Sequence, residues 1–175
     1  VFEKTVEEAK KEDWTTEEMV DALLQSEADF RGRRRTQSRI KASKLKVSSA
    51  SFEDYDFTTK RSLTKVQLKE IASLKWLHDG RPFVLIGQTG VGKTFLGQAA
   101  GLHACAHGKS ALFLSVTYWM EQQAFARATG TYLKFREKMI RPDLLILDDF
   151  GLRKFSAIEA EDLREICEER SYGKS

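Results

Sequence analysis

The sequence predicts an α/β fold, a parallel sheet covered by helices on both faces, and three observations point to it. Phe83–Ile86, Ala111–Leu114 and Leu144–Leu147 are uninterrupted apolar runs, as strands buried on both faces require. From residue 83 onward these runs alternate with stretches of helical periodicity. Between the first run and its helix lies Gly87-Gln88-Thr89-Gly90-Val91-Gly92-Lys93-Thr94, which fits G-x-x-x-x-G-K-[ST] at every fixed position. Together they predict a P-loop NTPase with a three-layer core.

The chain has 175 residues, 41% hydrophobic and 31% charged, enough for one domain plus an arm. No apolar stretch reaches the roughly 18 residues of a membrane span, and the start VFEKTVEEAKKED lacks the pattern of a secretory signal. Cys105 and Cys167 form no CxxC pair and suit a reducing cytoplasm as two buried thiols. The net charge of +3 conceals a division. Residues 1–30 hold ten acids against three lysines, whereas 31–46 hold eight cations and no acid. A block of that kind, with Arg31, Arg33, Arg34, Arg35, Arg39 and Lys41 at its centre, is a candidate footprint for double-stranded DNA. A solvated basic helix face paired with the acidic segment explains the same charges.

In chain order, Thr15 and Glu18 form a capping box that opens a helix, with Met19, Val20, Leu23, Leu24, Phe30 and Ile40 as a thinning apolar stripe. Residues 1–50 thus read as a helical arm, acidic and then basic, and 51–62 as a linker carrying Phe52, Tyr55 and Phe57. A partial ATPase domain follows over 63–175. Thr64 with Gln67 opens a helix that turns Val66, Leu68, Ile71, Leu74 and Leu77 inward and stops at Asp79-Gly80. Behind the glycine-rich segment a helix runs from Lys93 to about His107, closed by Gly108. Two helices near 118–128 and 131–140 are divided by Gly130, and Pro142 ends the second. Ser156 with Glu159 caps a last helix to about Arg170, ended by Tyr172-Gly173.

The glycines let successive N–H groups turn inward around phosphates, and the helix N-terminus adds its positive dipole end. Lys93 supplies a mobile cation for the terminal phosphates of ATP, and the Thr94 hydroxyl a ligand for Mg²⁺. The third apolar run ends in Asp148-Asp149, two adjacent carboxylates that need a cation to meet them. In a phosphate-loop fold Asp148 stands on the Mg²⁺ side, and Asp149 where a base polarises the attacking water.

At these residues the chain resembles a known family. The stretches GQTGVGKTFLGQAAGLHACAHGKSALFL and PDLLILDDFGLRKFSAIEAEDLREICEER are similar to the IstB-like ATP-binding proteins of bacterial insertion sequences. These are AAA+ ATPases similar to the DnaC helicase loaders. The basic arm and the FEDYDF linker resemble that family too. The resemblance implies an ATPase that helps transposition, self-assembles on DNA, deforms a target site and engages a transposase. It implies Gly87–Thr94 on the phosphates, Asp148 on Mg²⁺ and Asp149 at the catalytic carboxylate. Most AAA+ proteins have Glu there, so the shorter Asp holds the water less closely. It implies Tyr55 and Phe57 near adenine, although packing of the linker explains them equally well.

The family continues past the last helix into a sensor strand, a further strand, an arginine finger and a helical lid, whereas this chain ends at SYGKS. The expectation is an AAA+ core incomplete at its C-terminus. The missing strand would lie between the runs at 83–86 and 144–147. Two other readings share the core: a replicative helicase loader whose arm grips a helicase, and a non-hydrolysing remnant that only binds nucleotide. His103 and His107, four apart on a helix, read as packing and surface residues rather than metal ligands. Trp14, Trp76 and Trp119 read as core or docking residues, and Asp162, with Glu159, Glu161 and Glu165, as a solvated helix face.

Overall fold

The computed structural model of the chain describes residues 2–12, 14–46, 50–54 and 63–171. Contacts divide it into two compact units, Val1–Ser38 and Arg39–Ser175. The first holds helix α1 (Phe2–Lys11), which the sequence pattern did not suggest, and most of helix α2 (Thr16–Ala42). The expected capping box starts α2: Thr15 N–H donates to Glu18 Oε2 at 2.7 Å, and Glu18 N–H to Thr15 Oγ1 at 3.3 Å. α2 buries none of its residues, and Val20 and Leu24 stay exposed.

The second unit orders its elements as α3 (Lys65–Ala72), α4 (Lys75–His78), α5 (Lys93–Ala106), β1 (Ala111–Ser115), α6 (Val116–Ala128), α7 (Tyr132–Ile140), β2 (Leu144–Asp148) and α8 (Ala157–Ser171). β1 and β2 pair in parallel, in register from Ala111 opposite Leu144 to Ser115 opposite Asp148. Alternate residues serve opposite faces. Ala111, Phe113, Leu144 and Ile146 pack with Ala104 and Cys105 of α5. Leu112, Leu114, Leu145 and Leu147 pack with Trp119, Met120, Met139 and Ile166 of the α6, α7 and α8 layer. On its other edge β1 is covered just past α2, where Phe113 N–H donates to Ser43 O at 2.8 Å. Among the described residues no helix is long and apolar enough to cross a membrane.

Several expectations are corrected. Phe83–Ile86 is no strand: β1 and β2 alone form the sheet of the described residues, and Val84 and Ile86 are 74% and 90% exposed. An apolar run becomes a strand only where a neighbouring backbone completes its ladder, and among the described residues none pairs with this one. Thr64 and Gln67 do form their capping box, but Val66 faces out. The helix it opens stops at Ala72, and Leu74, with a φ of 53°, turns the chain into α4. Cys105 is buried as expected, but Cys167 is exposed. Asp162 is buried rather than solvated, held by Gln123 and Arg127. Trp119 lies in the core. Tyr55, Phe57 and the Tyr172-Gly173 stop lie outside the described residues.

Candidate functional site

The glycine-rich loop takes the shape its composition favours. Gly90 and Gly92 have φ values of 84° and 95°, a region open to glycine at little cost. Gly92 is the N-cap of α5 and no side chain bonds there. The first N–H groups of α5 are thereby left to a ligand, and an anion suits them. A Cβ at Gly90 would meet nothing within 4 Å, so the mouth of the loop is open. Gln88 and Thr89 are exposed, and Val91 is half-buried behind them. Lys93 Nζ folds back into the curl, donating to Gly87 O at 2.8 Å and Gln88 O at 2.7 Å. Thr94 is exposed beside it.

Asp148 is the last residue of β2, half-buried, and Asp149 follows it exposed with a φ of 59°. The left-handed backbone costs a non-glycine residue about 1 kcal/mol and turns the chain sharply off the sheet. α5 runs opposite to the strands: its end, at Ala104 and Cys105, packs with the strand starts Ala111 and Leu144. Nearer its beginning, Gly97 lies against Ile146. From that contact Thr94 lies three residues back along α5, about 4.5 Å. Asp148 lies two residues on along β2, about 6.6 Å in the same direction. Thr94 and Asp148 therefore share one end of the unit. Backbone donors, an ammonium, a hydroxyl and a carboxylate gathered there fit a nucleotide phosphate chain with its divalent cation.

The basic residues of α2 are distributed differently. Arg31, Arg33, Arg34, Arg35 and Lys41 are exposed, Arg31 in an ion pair with Glu27 at 2.6 Å and Arg34 over the Phe30 ring. Arg39 is half-buried and donates its Nε to Cys105 O at 3.2 Å, next to the carbonyl end of α5 where a cation is favoured.

Three features escaped the sequence reading. Gly97 and Gly101 face the sheet one turn apart; a Cβ on Gly101 would stand 2.9 Å from Leu45 and 3.0 Å from Ile146. Their G-x-x-x-G spacing was the available signal. Buried Arg170 donates to the carbonyls of Met139, Ile140, Pro142 and Asp143, tying α8 to the entry of β2. Gln123 and Arg127 converge on Asp162 from a helix some 35 residues away, which no local pattern reveals.

The chain is similar in sequence to known proteins. The model of the family described as IstB-like ATP binding protein matches residues 1–175. The chain is 33% identical over 175 residues to a protein of Pseudomonas fluorescens named for ATP binding in insertion sequence IS1162, covering 95% of this chain and 76% of that one. It is 33% identical over 155 residues to an insertion-sequence protein of Mycobacterium tuberculosis, also named for ATP binding, covering 88% and 61%. A third such protein, from Sinorhizobium fredii, is 30% identical over 173 residues, covering 99% and 70%. With its phosphate loop, its strand-end carboxylates and a match over its whole length, the chain belongs to the IstB-like ATP-binding protein family.

Proposed function

We propose that the chain binds ATP with Mg²⁺ through Gly87–Thr94 and Asp148, and that Asp149 is the carboxylate that orients water for hydrolysis. One observation carries the reading: the open glycine loop and Asp148 lie at the same end of α5 and β2, joined through Gly97 and Ile146. The ATP-binding names of the relatives support it, and their insertion-sequence origin supports a helper of transposition. In that role α2, through Arg31, Arg33, Arg34, Arg35 and Lys41, contacts double-stranded DNA, and the assembled protein engages a transposase. Arg39 belongs to the same basic block, with its Nε already committed to Cys105 O.

A titration with ATP tests the core of this. Lys93→Ala should remove most of the affinity, because Lys93 is the loop's own cation for the terminal phosphates. Asp148→Asn should weaken binding in the presence of Mg²⁺ more than in its absence. Equal binding by wild type and Lys93→Ala would sink the assignment.

The AAA+ core we propose holds one more parallel strand, between Phe83–Ile86 and β2. Support comes from the exposed Val84 and Ile86 and from β2, which among the described residues pairs on one side only. Unpaired buried backbone groups cost about 1–3 kcal/mol each, against a domain stability of about 5–15 kcal/mol. Residues 1–175 alone should then melt early and release little phosphate, while a version lengthened to match the relatives melts later and turns over. A stable melt with steady hydrolysis by the 175-residue chain would reject that strand order.

A further inference from the structure

Helix α2 is 27 residues long, about 40 Å, and buries none of them. Its charges are segregated. Residues 16–30 hold five acids and no base, and residues 31–42 hold six cations and no acid. The helix dipole favours such charges only in the end turns, at Glu17, Glu18, Arg39 and Lys41. A helix stabilised by its own surface pairs would interleave the two signs at intervals of three and four residues.

Some charges are matched inside the helix: Glu27 by Arg31 at 2.6 Å, Asp29 by Gln25 at 3.1 Å, and Arg34 by the ring of Phe30. Asp21 and Arg35 are exposed and, among the described residues, make no hydrogen bond or ion pair. Fourteen residues separate them, about 21 Å along the axis. Seven residues are nearly two full turns, so the two lie on one face with Ala28 midway. Gly32 stands one turn beyond Ala28 on that face. A Cβ built on Gly32 would meet nothing within 4 Å, so the face is uncovered there. Glycine inside a helix is destabilising relative to alanine, and no contact of the single chain draws on its small size. Close approach by a second backbone would.

We infer that α2 pairs antiparallel with α2 of a second copy of this chain, crossing at Ala28. A two-fold axis at Ala28 sets Asp21 of each copy against Arg35 of the other, so the contact is made twice. Glu17, one turn before Asp21, extends the acidic side. Ala28 and Gly32 let the two helix axes approach to about 8 Å at the crossing. A parallel pair would set acid on acid and base on base, so charge selects the antiparallel one. Ion pairs at such an exposed surface are screened by salt, which makes the pairing reversible and dependent on ionic strength. Arg35 also belongs to the basic block proposed for DNA contact. The pairing does not rest on that reading, because it follows from the charge and exposure of α2 alone.

The test is sedimentation equilibrium of the 175-residue chain in low and high salt, with neither nucleotide nor DNA present. A dimer is expected that weakens as salt rises. Asp21→Arg and Arg35→Asp should each weaken it at least about tenfold, by setting like charges against each other. The double variant Asp21→Arg/Arg35→Asp should dimerise again, and so should an equimolar mixture of the two single variants. Both residues are exposed, and circular dichroism checks that each variant keeps its helices. Association through the exposed Val84 and Ile86 would ignore both substitutions. A dimer as strong in either single variant as in the wild type would therefore overturn the proposal. So would a double variant that stays as weak as the single ones. A wild-type chain that remains monomeric in low salt would also overturn it, leaving the face to DNA or to a different protein.

Discussion

A Cβ built on Gly97 would stand 3.4 Å from Ile146 Cγ2, so α5 lies on β2 with only a hydrogen between them. That contact sets how far Thr94 stands from Asp148. Gly97→Leu should push the beginning of α5 away from β2 and widen the gap. We expect ATP affinity to fall several-fold with Mg²⁺ present and to change little without it. Identical losses under both conditions would mean that the contact does not govern the metal side of the site.

Gly101 is tighter, with Leu45 and Ile146 within 3.0 Å of a Cβ. Overpacking a core in this way costs about 1–3 kcal/mol. Gly101→Val should therefore lower the urea midpoint of unfolding, and trimming the neighbour in Gly101→Val/Leu45→Ala should recover part of the loss. If the double variant is no more stable than additivity predicts, the two sites are not coupled.

Asp162 sets a pH dependence. Burial works to raise its pKa, but the bonds from Arg127 and Gln123 outweigh burial and hold the carboxyl below its ordinary 3.8. A carboxylate depressed on folding contributes stability above its unfolded pKa and loses it as pH falls through the folded value. Asp162→Asn should cost about 2–3 kcal/mol at pH 7, less than a fully buried pair, because the Arg127 side chain is 44% exposed. The gap between wild type and variant should narrow below pH 3.8. A gap independent of pH would show that the carboxylate's charge does not matter there.

The proposed DNA footprint makes an ionic-strength prediction. Each phosphate contact removed should reduce the slope of log affinity against log salt by about 0.9. Arg33→Ala, Arg34→Ala and Arg35→Ala combined should flatten the slope by up to about three such steps and weaken binding to all sequences alike. Arg39→Ala should instead lower the melting temperature, since its Nε holds the Cys105 carbonyl. An unchanged slope in the triple variant would assign the arm to a protein partner.

Local chemistry by itself determined the parts of this protein that depend on near neighbours. Capping boxes at Thr15, Thr64 and Ser156 reach only three residues, so the helix starts were legible. The phosphate loop was legible because its glycines are demanded by backbone shape within eight residues. Tertiary structure decided whatever needed a distant partner. Phe83–Ile86 has strand composition but pairs with no backbone among the described residues, and a strand is a property of pairs. Asp162 looks like one more surface acid until α6 brings Gln123 and Arg127 to it. His78, His103 and His107 share a cavity only because Leu74 breaks one helix into two and turns the second towards α5. Sequence spacing describes one helix face or one turn; contacts across tens of residues exist only once hydrophobic burial has packed the layers.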